Sequence, residues 1–278
     1  DKIAQNGIRE TFKKVKEIGF STVELSQIDM SPENVEAIKS SLEEFDMKVC
    51  ATSAALKPMA PGIKMETLRD NFDKIVADTK ALGCKYIRIG MISFDCLGSK
   101  DKIIEYTKEL NEMGRRLKEE GLSLYYHNHH MEFSKYDGKY LMDIMVEESD
   151  PEYLGFELDV HWLQRAGVNP LEWIKKLEGR TKIIHIKDYR IAQTFDMSGG
   201  VEGIMRAMAD VVEFAEIGET SIIRVNPNNL SEAVKEESME DKNRKHQEKK
   251  RTLKLFYIGS LIFLVLFIIM VCVLMIIL

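Results

Sequence analysis

Cysteine is scarce in this chain. The four present, Cys50, Cys84, Cys96 and Cys272, form no CxxC pair. That excludes a disulfide framework and a zinc ribbon, and predicts buried free thiols in a reducing compartment. No GxGxxG opens a helical stretch, which argues against a dinucleotide fold. The opening DKIAQNGIRE has no apolar run of the signal-peptide kind, and the chain starts at Asp1 rather than Met. A basic body is also lacking. Of 39 Lys/Arg and 45 Asp/Glu, seven and two fall in 241–278, so residues 1–240 carry 32 and 43, a net of −11. A body so acidic excludes nucleic acid as the expected partner.

What is present is a long apolar run at one end and a repeating pattern before it. The 23 residues from Phe256 to Leu278 carry no charge and follow the basic stretch KNRKHQEKKRTLK. At 1.5 Å per residue such a run spans a hydrocarbon core of about 30 Å. The expectation is a transmembrane helix over 255–278 behind a polar, basic linker over 220–254, with NPNN near its start. The basic flank predicts a C-terminal anchor with the body on the cytoplasmic side. A chain lacking that tail is expected in the cytoplasm.

Over 1–219 amphipathic stretches ending near a Gly alternate with short β-rich runs: FSTVEL, MKVCATS, CKYIRIG, LSLYYHNH, LGFELDV and TKIIHIKD. Helical periodicity alternating with such runs implies βα units and a parallel sheet. Six copies roughly 26 to 38 residues apart fit a (β/α) barrel better than a Rossmann sheet.

Alternation assigns facing within each strand. In LSLYYHNHH, Leu122, Leu124 and Tyr126 face the helices, and Ser123, Tyr125, His127 and His129 face the lumen. In GFELDVH, Glu157, Asp159 and His161 point inward. In KIIHIK, Ile183, His185 and Lys187 do so. In STVELS, Glu24 and Ser26 do so, and Arg88 is inward by the same parity. A single lumen histidine is more often a hydrogen-bonded core residue than a ligand, and Glu24 could simply pair with Arg88. Taken jointly, His127, Asp159 and His185 are costly to bury near one axis without a metal or a substrate.

YYHNHHMEF, GFELDVHWLQRAGVNP, IIHIKDY and EIGE, in this order and spacing, resemble the sugar phosphate isomerase/epimerase branch of the xylose isomerase-like TIM barrels. The resemblance covers about 1–219. It implies a divalent metal (Mn, Mg, Co or Zn) on strand-end ligands, drawn from a family pattern of Glu, Asp, His and a second Glu. Asp159 matches the Asp and His185 the His, while His127 stands at the first Glu position, as in HNH-type members. Glu24 matches a strand-end Glu that faces substrate. Against that family the chain is incomplete: the strand expected before DKIAQ and the strand bearing the last Glu are absent, leaving about six of eight. A fragment joined to an unrelated tail, or a partner that completes the barrel, would account for this, and homo-oligomerisation stays open.

The reaction implied is proton transfer next to a carbonyl of a small keto-sugar or polyol derivative. Glu132 is the expected acid/base, with His129 second. Lys187 either steadies an oxyanion or sits on the rim in solvent. Trp162, Arg165 and Asn169 are expected to shape the pocket mouth. Dehydration of cyclic polyols and cleavage of oxidised glycosides use the same ligands in related barrels, and an inactive, membrane-tethered remnant is the rival of another class. The AP-endonuclease branch is set aside because Phe214 and Ala215 occupy the positions of its additional zinc ligands.

Overall fold

The computed structural model describes residues 2–191, 202, 203, 205 and 212–215. The chain divides at Glu219/Thr220 into two units, and every described element belongs to the first. Its elements run α1 (Lys2–Asn6), α2 (Ile8–Ile18), β1 (Thr22–Leu25), α3 (Pro32–Glu44), β2 (Lys48–Ala54), α4 (Phe72–Ala81), β3 (Tyr86–Ile89) and α5 (Lys100–Glu119). Then come β4 (Ser123–His127), a two-stranded hairpin of β5 (Lys135–Tyr136) and β6 (Lys139–Tyr140), α6 (Leu141–Glu147) and β7 (Leu154–Asp159). The described part ends with α7 (Val160–Arg165), α8 (Pro170–Lys176), β8 (Ile184–His185), β9 (Asp188–Ile191) and β10 (Val212–Ala215).

Six strands form one parallel sheet in the order β1-β2-β3-β4-β7-β8, the six runs expected from the alternation. With helices between them they make a parallel half-barrel of the TIM type. The antiparallel pair of β9 and β10 lies beyond what the alternation predicts. The span expected over 255–278 and the linker over 220–254 lie outside the described residues. Among the described residues no helix is long and apolar enough to cross a membrane.

Local chemistry explains where the helices begin and end. Ser31 caps α3, its hydroxyl accepting the Asn34 N–H at 3.3 Å, and Pro32 occupies the first turn, where a missing N–H costs nothing. Asn169 caps α8 in the same way, accepting from Leu171 N–H at 2.9 Å ahead of Pro170. Its side chain is committed there, so Asn169 ends a loop rather than shaping a pocket mouth. Gly19 closes α2 in the left-handed region at φ 108°.

The core lies between sheet and helices. Along α5, Ile103, Tyr106, Leu110, Met113 and Leu117 are buried at spacings of three and four. They pack on Ile87, Ile89, Leu124, Tyr126, Phe156 and Leu158 from the outer face of the sheet, at about 1.5–3 kcal/mol per large side chain. A second cluster packs Ile8, Phe12, Val35 and Ile38 against Leu25 and Val49. Inside the barrel, the Tyr125 ring lies edge-on to Tyr86 at 5.2 Å and fills the lumen beside Gly155. A Cβ on Gly155 would sit 2.4 Å from that ring, so only glycine fits.

Candidate metal centre

Strand register brings the site together. His127 on β4 pairs across the ladder with Glu157 on β7, and Asp159 on β7 pairs with His185 on β8. All four stand at the C-terminal ends of adjacent parallel strands, where barrel sites form. His127 Nε2 lies 3.7 Å from Asp159 Oδ2, and His185 Nδ1 lies 3.6 Å from the same oxygen. Two ligand atoms each about 2.1 Å from one ion, at near-tetrahedral angles, stand about 3.4 Å apart. His127, Asp159 and His185 each offer an atom within 4.8 Å of the others. His185 Nδ1 is also buried with no partner at hydrogen-bond distance. An imidazole nitrogen orphaned beside a carboxylate fits a cation, and the three expected ligands are the three that converge.

The neighbours fix how these rings point. His127 Nδ1 lies 3.1 Å from Glu157 Oε2. If that nitrogen carries the proton, Nε2 keeps its lone pair for the centre, the carboxylate–histidine arrangement common at metal sites. On the far side His185 Nε2 meets Glu24 Oε2 at 2.8 Å. Glu24, Glu157 and His185 form a second cation-sized group that shares this histidine. Arg88 holds Glu24 in an ion pair, donates to Ser26 Oγ at 2.7 Å and lies 3.5 Å from Glu157. Glu24 thus both lines the cavity and pairs with Arg88.

Burial pushes the His127 pKa down, with the Arg88 and His185 charges adding, to about 2, so this ring is neutral. Burial would also lower His185, but the Asp159 and Glu24 carboxylates outweigh it and lift it to about 9. Asp159 is raised by burial and lowered more by His185 and Lys187, to about 2. Glu157 is pushed up by burial and by the Glu24 charge beside it, while Arg88 and His185 hold Glu24 down. Opposed shifts packed so closely mark a site built for charge.

A cavity of about 760 Å³ opens over the centre. Glu24, His127, His129, His185 and Lys187 line it, and Lys187 Nζ is held by Asp159. Burial lowers His129 to about 4. Glu132, the expected acid/base, does not line this cavity. It is fully buried behind β4, where one oxygen accepts the Tyr126 hydroxyl at 2.6 Å and the other the His129 N–H at 2.8 Å. Its geometry corrects the expected role: Glu132 fixes the loop that carries His129. Nor do Trp162 and Arg165 line the cavity. Trp162 stands behind His129 at 5.2 Å between ring centres, with the exposed Arg165 guanidinium over it at 5.8 Å. His161, placed inward by parity, instead packs edge-on against Trp162 and Tyr189.

Two residues of the site gain a role only from the structure. Alternation turns Glu157 inward but assigns it no task, although its position two before Asp159 is a signal. Asn128, between the two histidines, accepts the Asp159 N–H on its Oδ1 at 2.9 Å and so stitches β4 to β7. Nothing in the sequence alone points to that bond.

Residues 12–219 match the family described as xylose isomerase-like TIM barrel. The chain belongs to that family. An inosose dehydratase from Mesomycoplasma hyopneumoniae (strain 7448) is 30% identical over 132 residues, 43% of this chain and 43% of that protein. The chain therefore matches less than half the length of this curated relative. A solved sugar phosphate isomerase/epimerase from Parabacteroides distasonis ATCC 8503 is 24% identical with a TM-score of 0.58, over 75% of this chain and 82% of that one. A 3-keto-D-glucoside 4-epimerase from E. coli is 18% identical with a TM-score of 0.51, over 74% and 83%. At those identities the two structures establish the barrel fold alone.

Proposed function

We propose that this chain is a divalent-metal-dependent isomerase or epimerase that moves a proton next to the carbonyl of a small keto-sugar or polyol derivative. One observation carries the reading: His127, Asp159 and His185 present three ligand atoms around a single point, and His127 and His185 also line a cavity. A divalent cation held there supplies Lewis-acid stabilisation of charge developing on the carbonyl oxygen. The remaining work falls to side chains. His129 lines the cavity as a neutral imidazole and accepts the proton from the carbon beside the carbonyl, then returns it. Lys187 donates a hydrogen bond to the same developing oxyanion. Glu24 on β1 and Arg88 on β3 orient hydroxyls of the substrate.

Dehydration of a cyclic polyol is the second reading, favoured by the likeness to the inosose dehydratase. It uses the same proton abstraction followed by loss of a hydroxyl. The two separate by product: solvent deuterium incorporated with no loss of mass of water supports isomerisation, and an unsaturated product supports dehydration. Residues 255–278 belong to this proposal as a membrane anchor and 1–219 as the catalytic body, with a small-molecule sugar as the substrate.

The direct test is metal analysis of the purified full chain and its variants. One equivalent of Mn, Zn or Co is expected in the wild type. Asp159→Asn or His185→Ala should lower it to a trace while the far-ultraviolet spectrum is retained. Full metal content in both variants sinks the proposal.

A further inference from the structure

The cavity has two unlike walls. One carries the metal centre, His129 and Lys187. The other, built by the loops after β1, β2 and β3, presents Met30, Met59, Met65, Met91 and Phe94. Phe94 is 45% exposed and Met65 39%. Large apolar side chains gathered at a cavity and left facing water mark a binding surface, and methionine adapts to ring-shaped partners.

This wall is held in place before anything binds. Phe94 N–H donates to the Met59 carbonyl at 2.9 Å, Ser93 Oγ to the Pro58 carbonyl at 2.8 Å, and Lys57 pairs with Asp95 at 2.8 Å. Three links therefore join the loops bearing Met59 and Phe94. Lys74 joins two more segments: Nζ donates to the Met30 carbonyl at 2.6 Å and lies 2.9 Å from Glu66, the neighbour of Met65. Among the described lining residues the Lys and Arg, Arg88 and Lys187, are both in ion pairs with carboxylates. Glu24, Asp29, Glu66 and Asp78 line the same space. A phosphate would meet carboxylates and methionines. About 760 Å³ is also room for a drug-sized molecule.

We infer that the Met30–Met59–Met65–Met91–Phe94 wall is a subsite for an apolar ring attached to the sugar, so that the substrate is a neutral glycoside whose sugar ring carries a ketone and whose aglycone is an apolar ring, and not a sugar phosphate. This rests on the sugar-enzyme reading above and assigns its substrate class. The sugar ring sits over the metal centre and His129, and its substituent lies against the methionines.

The test is equilibrium binding to the full chain with added Mn²⁺, read by calorimetry and needing no turnover. The probes are phenyl and methyl glycosides of glucose, galactose and mannose, each oxidised to a ketone at one ring carbon, with glucose 6-phosphate. At least one phenyl glycoside should bind about tenfold tighter than its methyl partner. Phe94→Ala and Met59→Gln, both at positions that are not fully buried, should reduce that ratio toward one and leave methyl glycoside binding unchanged. Equal affinity of phenyl and methyl pairs, or tightest binding of the phosphate, overturns the subsite and leaves the sugar-enzyme reading standing. Failure of every sugar to bind while Mn²⁺ still binds stoichiometrically overturns both.

Discussion

The two oxygens of Asp159 face different neighbours. Oδ1 accepts the N–H groups of His161 at 3.1 Å and Trp162 at 3.3 Å and so starts α7. That fixes the carboxylate and leaves Oδ2 toward His127, His185 and Lys187. Protonation then sets how the centre loads. His127 is neutral and Asp159 ionised at neutral pH, whereas His185, lifted to about 9, carries a proton. An ion must displace that proton, because only the neutral ring is a ligand. Between pH 6 and 8 the apparent affinity should therefore rise by about tenfold per unit, with about one proton released per ion. Calorimetry in two buffers of different ionisation enthalpy measures the proton count, and an affinity flat across this range contradicts the assignment. Glu132 offers a second residue-scale test. Glu132→Ala strands the Tyr126 hydroxyl and the His129 N–H, at about 1–3 kcal/mol of stability. Metal stoichiometry should persist; unchanged urea stability with lost activity would instead restore Glu132 as the proton carrier.

At the scale of elements, helix α5 shows a packing effect overriding propensity. Ala is better than Gly inside a helix by about 1 kcal/mol. At Gly114, however, a Cβ would stand 2.1 Å from the Tyr153 carbonyl oxygen, which belongs to backbone and cannot swing away. Gly114→Ala should therefore destabilise by about 1–3 kcal/mol in urea unfolding, and a stabilised variant would mean that α5 slides freely over this turn. The same elements explain what was legible in the sequence. Period-two alternation located all six parallel strands, because outward residues such as Leu124, Tyr126, Phe156 and Leu158 must meet the helices. It also turned His127, Asp159 and His185 inward. Parity failed at His161 because the strand ends at Asp159 and a helix begins, and no alternation survives that change of period. Glu132 misled because proximity along the chain says nothing of which face a tight turn presents. The methionine wall was invisible, since its residues come from three loops with no shared spacing.

At the scale of the whole molecule, an acidic barrel body is joined in sequence to a basic stretch and then to 23 uncharged residues. As a helix those 23 would be about 35 Å long, against about 30 Å of hydrocarbon. A charged side chain at mid-membrane costs about 3 kcal/mol, and the run from Phe256 to Leu278 contains none. Seven Lys/Arg just before it favour the side where anionic lipid lies, so the proposed anchor would set the barrel on the cytoplasmic face. Two kinds of attachment fit a run this apolar, and they differ in how they respond to alkaline carbonate. A spanning helix stays with the membrane because its backbone is hydrogen-bonded internally and its side chains have no aqueous alternative. A segment held at the surface by its basic residues is released once lysine charge is lost. The full chain should therefore remain in the carbonate pellet, and deletion of residues 256–278 should move it to the supernatant with its metal content unchanged. Release of the full chain would make the basic stretch the attachment and leave the apolar run without a membrane role.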